Sequence, residues 1–141
     1  MISLHFEDVK PLQIDEGFLQ EWLQNVCHKE GVELGEVAII FCSDEYLLRM
    51  NREYLNHDYY TDIITFDYTE EGLVSGDLFI SIDRLKENAE VNNVMFHVER
   101  NRVVVHGVLH LIGYKDTTEE EQEEMTEMEN WALSLIVSRE T

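Results

Sequence analysis

Basic residues are scarce in this 141-residue chain, where 10 Lys and Arg stand against 30 Asp and Glu for a formal net charge of -20. That balance argues against binding nucleic acid through a broad basic face, which needs Lys and Arg in number. The acidic excess is uneven. Asp116 and seven glutamates fall between residues 116 and 129, so a local basic cleft, or a bound cation, still leaves room for an anionic ligand elsewhere. Cysteine is also scarce: Cys27 and Cys42 are far apart and form no CxxC. A disulfide framework and a thiolate zinc site are therefore not expected, and both thiols read as small core residues. Long apolar runs are missing, so no membrane span is expected. The acidic start MISLHFEDVK lacks the basic and apolar regions of a signal peptide. A soluble, cytoplasmic protein is the expectation.

What is present suits one domain over residues 1–141, long enough to bury a core. Residues 2–6 alternate as a strand does, and Pro11, the only proline, closes that segment. Asp15 caps a helix over 16–30 whose Phe18, Leu19, Trp22, Leu23 and Val26 recur at helical spacing. Gly31 and Gly35 bracket a turn before VAIIFC, 37–42, an apolar run suited to a strand buried on both faces. Ser43 caps a helix running to about Leu55, and a loop containing His57 and Asp58 leads to a strand at Ile63 to Phe66. GDLFISI, 76–82, makes a further strand, and Asp83 caps a helix over 84–91. After residue 117, Thr117 with Glu120 and Thr118 with Glu121 form overlapping capping boxes for an acidic C-terminal helix.

VVVHGVLHLIGYKD, residues 103–116, carries the chemistry. Chance alone gives about 0.25 pairs of histidines at spacing four in this composition, so the pair needs its context. His106 and His110 are one helical turn apart on one face, within an apolar run where an unpaired buried imidazole would cost about 1–3 kcal/mol. Gly107 costs the helix roughly 1 kcal/mol against alanine, which points to a close approach of some neighbour. Gly113 stands where the apolar pattern ends, as a left-handed C-cap would, and the chain can then fold back to bring Asp116 to the same ion. Three protein ligands and one open position describe a catalytic zinc site. The glutamate that serves as general base in HExxH peptidases is replaced by Gly107, which removes a peptidase reading. His97, nine residues before His106, falls on the opposite side of the helix and is no ligand. Arg100 and Arg102 read as members of a solvated face.

The stretch HGVLHLIGYKD resembles the HGxLHLxGYDH signature of the YbeY family of metal-dependent, single-strand-specific endoribonucleases that act in ribosomal RNA maturation. Residues 48–68, LRMNREYLNHDYYTDIITFDY, resemble that family's LNxxYRxxDxxTDVLSF segment, and SGDLFIS, 75–81, its GDIxIS strand. Two departures stand out. Asp116 replaces the third histidine and Lys115 the preceding aspartate, while Leu55 occupies the arginine position.

The resemblance implies an α+β fold, a small mixed sheet of about four strands packed with helices and a central, zincin-like metal helix. It implies one zinc ion, or another divalent transition metal, held by His106, His110 and Asp116, and an enzyme hydrolysing phosphodiesters of single-stranded or ribosomal RNA near the ribosome. No side chain is assigned as nucleophile or general acid. Asp77, in the GDLFIS motif, is expected to accept a hydrogen bond from a ligating imidazole. At least one of Arg52 and Lys115 is expected to supply the phosphate contact that Leu55 cannot. Two other readings stay open: a ribosome-associated assembly factor with a structural metal, and a metal hydrolase of a small substrate, which the acidic surface would suit.

Overall fold

The computed structural model describes residues 1–57 and 60–136, so Asp58 lies outside the described residues. Strand β1 (Ile2–Phe6) leads through helix α1 (Glu16–Lys29) to β2 (Glu33–Cys42), then α2 (Asp44–Tyr54), β3 (Ile63–Asp67) and β4 (Leu73–Ser81). Helices α3 (Ile82–Val91), α4 (Phe96–Ile112) and α5 (Glu119–Ser134) complete the chain. The sheet order is β1-β2-β4-β3. The first three are mutually parallel, and β3 runs antiparallel at the edge. This is the expected α+β class with a mixed four-stranded sheet.

Side-chain alternation along β4 divides the interior in two. Leu78 and Ile80 face the larger core, built with α1 and α4 from residues such as Leu19, Leu23, Val104 and Leu109. Phe79 faces the other way, toward Leu47, Ile64 and Cys42 under α2. Helix α4 comes close to the sheet at Gly107, where an added Cβ would sit 2.8 Å from Ile63 Cδ1 and 2.9 Å from Leu78 Cδ2. That close approach is what the glycine permits, and it seats the two histidines beside β3.

Several boundaries differ from expectation for local reasons. Strand β2 starts at Glu33 instead of residue 37, with a register shift between Leu34 and Val37, so Gly35 lies inside a strand and not in a turn. The cap of α3 is Ser81, whose hydroxyl accepts from Arg84 N–H at 3.1 Å. Asp83 instead accepts from the Asp44 N–H at 2.9 Å. Only the Thr118–Glu121 capping box forms, and Glu121 also accepts from the Thr117 N–H, displacing the Thr117–Glu120 alternative. Among the described residues no helix is long and apolar enough to cross a membrane.

Candidate metal centre

Helix α4 and the turn that ends it build the site. Gly113 takes φ 130°, which favours glycine, and its N–H and that of Tyr114 close the helix by donating to Leu109 O at 3.1 and 3.0 Å. The same turn aims the Tyr114 carbonyl back at His110 Nδ1, 2.9 Å away, and returns the chain so that Asp116 faces both rings. His106 Nε2 and His110 Nε2 face each other at 3.0 Å, and Asp116 Oδ2 lies 3.3 Å from each. Sequence spacing and structure thus bring His106, His110 and Asp116 together.

The donor chemistry fits a cation. A backbone carbonyl only accepts, so His110 Nδ1 carries the proton and its Nε2 presents a lone pair. His106 Nδ1 lies 2.7 Å from Glu129 Oε2 and donates to that carboxylate, leaving its Nε2 as a second lone pair. With the Asp116 carboxylate, three acceptors converge where none can donate to another, and only a proton or a metal ion relieves their repulsion. A tetrahedral ion with bonds of about 2.0 Å keeps its ligand atoms about 3.3 Å apart, close to the separations found here. The three residues stand close enough to hold a metal.

Electrostatics support the same picture. Burial alone would lower the His106 pKa, but the Glu129 hydrogen bond and the charges of Glu129, Asp116 and Asp62 together raise it. Burial would raise Glu129, yet hydrogen bonds from His106 and Arg102 hold it below the usual carboxylate range, so it stays an anion. Arg102 Nη1 donates to Glu129 Oε1 at 2.8 Å, and Nη2 donates to Asn130 at 2.8 Å. Arg102 and His106 are one helical turn apart and both meet α5 at Glu129, and Arg100 is buried. Neither arginine belongs to a solvated face, which corrects that expectation.

Asp77 does not reach the histidines. It shares the α2-facing side of β4 with Phe79, whereas the neighbouring Leu78 faces α4, and its carboxylate accepts from Tyr68 Oη at 3.1 Å. Glu129 takes the part expected of Asp77. It went unnoticed because it sits among seven acidic neighbours, although its spacing from Met125 and Ala132 marks it as buried on one stripe of α5.

The site opens into a cleft of about 460 Å³ walled by Asn51, Leu55, Asp62 and Thr65 besides the three donors. Burial pushes the Asp62 carboxyl up, against the pull of His106. Sequence reading missed Asp62 and Asn51, both inside the 48–68 motif. Arg52 and Lys115 are exposed and form none of the cleft wall. The Lys115 charge acts on Glu121, whose pKa is lowered chiefly by hydrogen bonding to Thr118.

Comparison with known proteins agrees with the motif reading. A family model described as Endoribonuclease YbeY matches residues 5–136. The protein named Endoribonuclease YbeY from Bacteroides thetaiotaomicron is 48% identical over 134 residues, covering 95% of this chain and 98% of that one. Its namesake from Cytophaga hutchinsonii is 52% identical over 118 residues, covering 83% and 82%. The solution structure of a Thermotoga maritima protein superposes with TM-score 0.61 at 24% identity, covering 100% of this chain and 99% of that one, a likeness of fold.

Proposed function

The chain belongs to the YbeY family of endoribonucleases, and we propose that it is a metal-dependent endoribonuclease that cleaves single-stranded RNA in ribosomal RNA processing in the cytoplasm, using zinc held by His106, His110 and Asp116. The observation that carries this reading is the convergence of two imidazole lone pairs and one carboxylate at separations of 3.0 and 3.3 Å on the wall of an open cleft. A zinc ion there supplies Lewis acidity, activating water near neutral pH and drawing charge from a phosphoryl oxygen.

The protein's own groups do the remaining work. Glu129 and the Tyr114 carbonyl fix the tautomers and orientation of the two rings, so that both Nε2 lone pairs point into the cleft. Asp62, a cleft carboxyl whose proton is held more tightly because of burial, is the group we assign to exchange a proton with the attacking water or the leaving oxygen. Positive charge for the phosphate has to come from elsewhere than Leu55. Arg52, one turn earlier on α2, and Lys115, next to Asp116, carry long side chains able to swing toward a bound strand.

Cleavage of a single-stranded ribosomal RNA fragment, with and without chelator and with His110→Ala, tests the reading. Activity lost in both is expected. A parent that binds ribosomes but cuts no RNA would favour the assembly-factor reading. In the same assay the Arg52→Ala, Lys115→Ala double variant is expected to lose about tenfold or more, or about 1.4 kcal/mol of transition-state stabilisation.

A further inference from the structure

On the other face of the sheet from the metal cleft lies a groove of about 390 Å³ between α2 and the β3–β4 face, which the site above does not use. Aromatic rings form it. Tyr46 and Phe79 stack with centroids 6.4 Å apart, and Phe66 meets Phe79 edge-on at 5.8 Å and Tyr54 edge-on at 6.4 Å. Tyr54 and Tyr68 remain 66% and 58% exposed, so core packing does not account for them. Arg49 lies over the Tyr46 ring at 5.6 Å, and the polar rim is completed by Glu53 and Asp77.

Groove and metal cleft share their walls. Along β3 and its continuation, Thr65 and Asp67 line the cleft while Phe66 and Tyr68 line the groove, as strand alternation requires. On α2, Asn51 and Leu55 face the cleft while Met50 and Tyr54 face the groove. A single strand crossing the β3 edge can therefore place one nucleotide at the metal and a neighbour in the groove.

The charge selects which part of a nucleotide fits. Two carboxylates against one guanidinium repel a phosphate, whereas aromatic faces with acceptors at the rim suit a base with donor groups on its edge. Guanine presents two adjacent N–H donors that match the two oxygens of one carboxylate. Uracil offers a lone N–H flanked by carbonyl oxygens, which a carboxylate repels. We propose that this groove is a base-binding subsite for a nucleotide flanking the scissile phosphate, with guanine preferred over uracil through Asp77 and the ring held by the wall that Tyr54 completes. The proposal rests on the endoribonuclease reading for its substrate.

The test is fluorescence anisotropy with short, labelled 2′-O-methyl phosphorothioate oligonucleotides, which resist hydrolysis: oligouridylate, and the same strand carrying one guanosine. The parent is expected to bind the guanosine strand about fivefold or more tightly. Tyr54→Ala is expected to weaken both strands about fivefold or more, and Asp77→Asn to erase the guanosine preference while keeping affinity for oligouridylate. Equal binding of the two strands by the parent, or unchanged binding by Tyr54→Ala, overturns the proposal. His110→Ala separates the two claims, since it should lose RNA cleavage and keep the guanosine preference. A parent that shows the preference but never cleaves RNA refutes the nuclease reading and leaves the base subsite standing.

Discussion

Replacing Glu129 by glutamine keeps the shape of the side chain and removes the charge that joins His106 to Arg102. The Glu129 side chain is 11% exposed, and its carboxylate accepts from His106 Nδ1 at 2.7 Å through one oxygen and from Arg102 Nη1 at 2.8 Å through the other. Glutamine has one acceptor oxygen, so whichever way it turns, its NH₂ group meets a donor. One charge-assisted hydrogen bond, worth roughly 1.5–3 kcal/mol, is lost. The Arg102 contact is discounted because its side chain is 32% exposed and partly screened. Losing an imidazole's partner typically lowers metal affinity about 10- to 100-fold, the same order. Competition against a chromophoric zinc chelator measures this. Glu129→Gln should fall in that range, while Asn130→Ala, which removes only the exposed second contact of Arg102, should stay within about twofold of the parent. If Glu129→Gln binds zinc as the parent does, Glu129 does not position His106.

Leu55→Arg restores a guanidinium to the cleft wall and should raise kcat/KM on RNA about tenfold, and an unchanged or lower value would deny that the cleft lacks positive charge. Gly107→Ala gains about 1 kcal/mol of helix propensity but drives its Cβ to within 2.8 Å of Ile63 Cδ1 and 2.9 Å of Leu78 Cδ2. With overpacking typically costing about 1–3 kcal/mol, a net loss on the order of 1 kcal/mol is expected in urea titration, and a stabilised variant would contradict the close approach. Burial first, and nearby carboxylates second, push the Cys27 thiol up to about 11 and Cys42 to about 12. The folded state therefore holds these protons more tightly than the unfolded chain, whose thiols titrate near 8.5. Their contribution to stability is full below about pH 8.5 and is lost as pH rises toward 11 and 12. Alkylation by iodoacetamide at pH 8 should leave the native protein unlabelled, and ready labelling would show that these thiols are not buried.

The part of the site legible in the sequence is the part encoded locally. His106, His110, the Gly113 turn and Asp116 lie within eleven consecutive residues, and helix periodicity with one C-cap suffices to bring them together. Glu129 comes from another helix, 23 residues beyond His106, and only tertiary packing singles it out from the acidic run. Asp77 shows the opposite failure. Its motif is recognisable, but strand period decides the outcome: with Leu78 facing α4, Asp77 must face α2. Arg100 and Arg102 misled because a charged side chain on a helix is usually solvated, whereas Arg100 is buried and Arg102 is drawn into an ion pair with Glu129 of α5. The strands were readable from alternation and apolar runs, whereas the order β1-β2-β4-β3 depends on pairings between distant segments.

Anomalous diffraction at the zinc edge, on crystals grown with stoichiometric zinc, tests the central claim most directly. We expect one strong peak at about 2.0–2.2 Å from His106 Nε2, His110 Nε2 and an Asp116 carboxylate oxygen. A peak elsewhere, or none at these three residues, would contradict the assignment of this centre as the metal site.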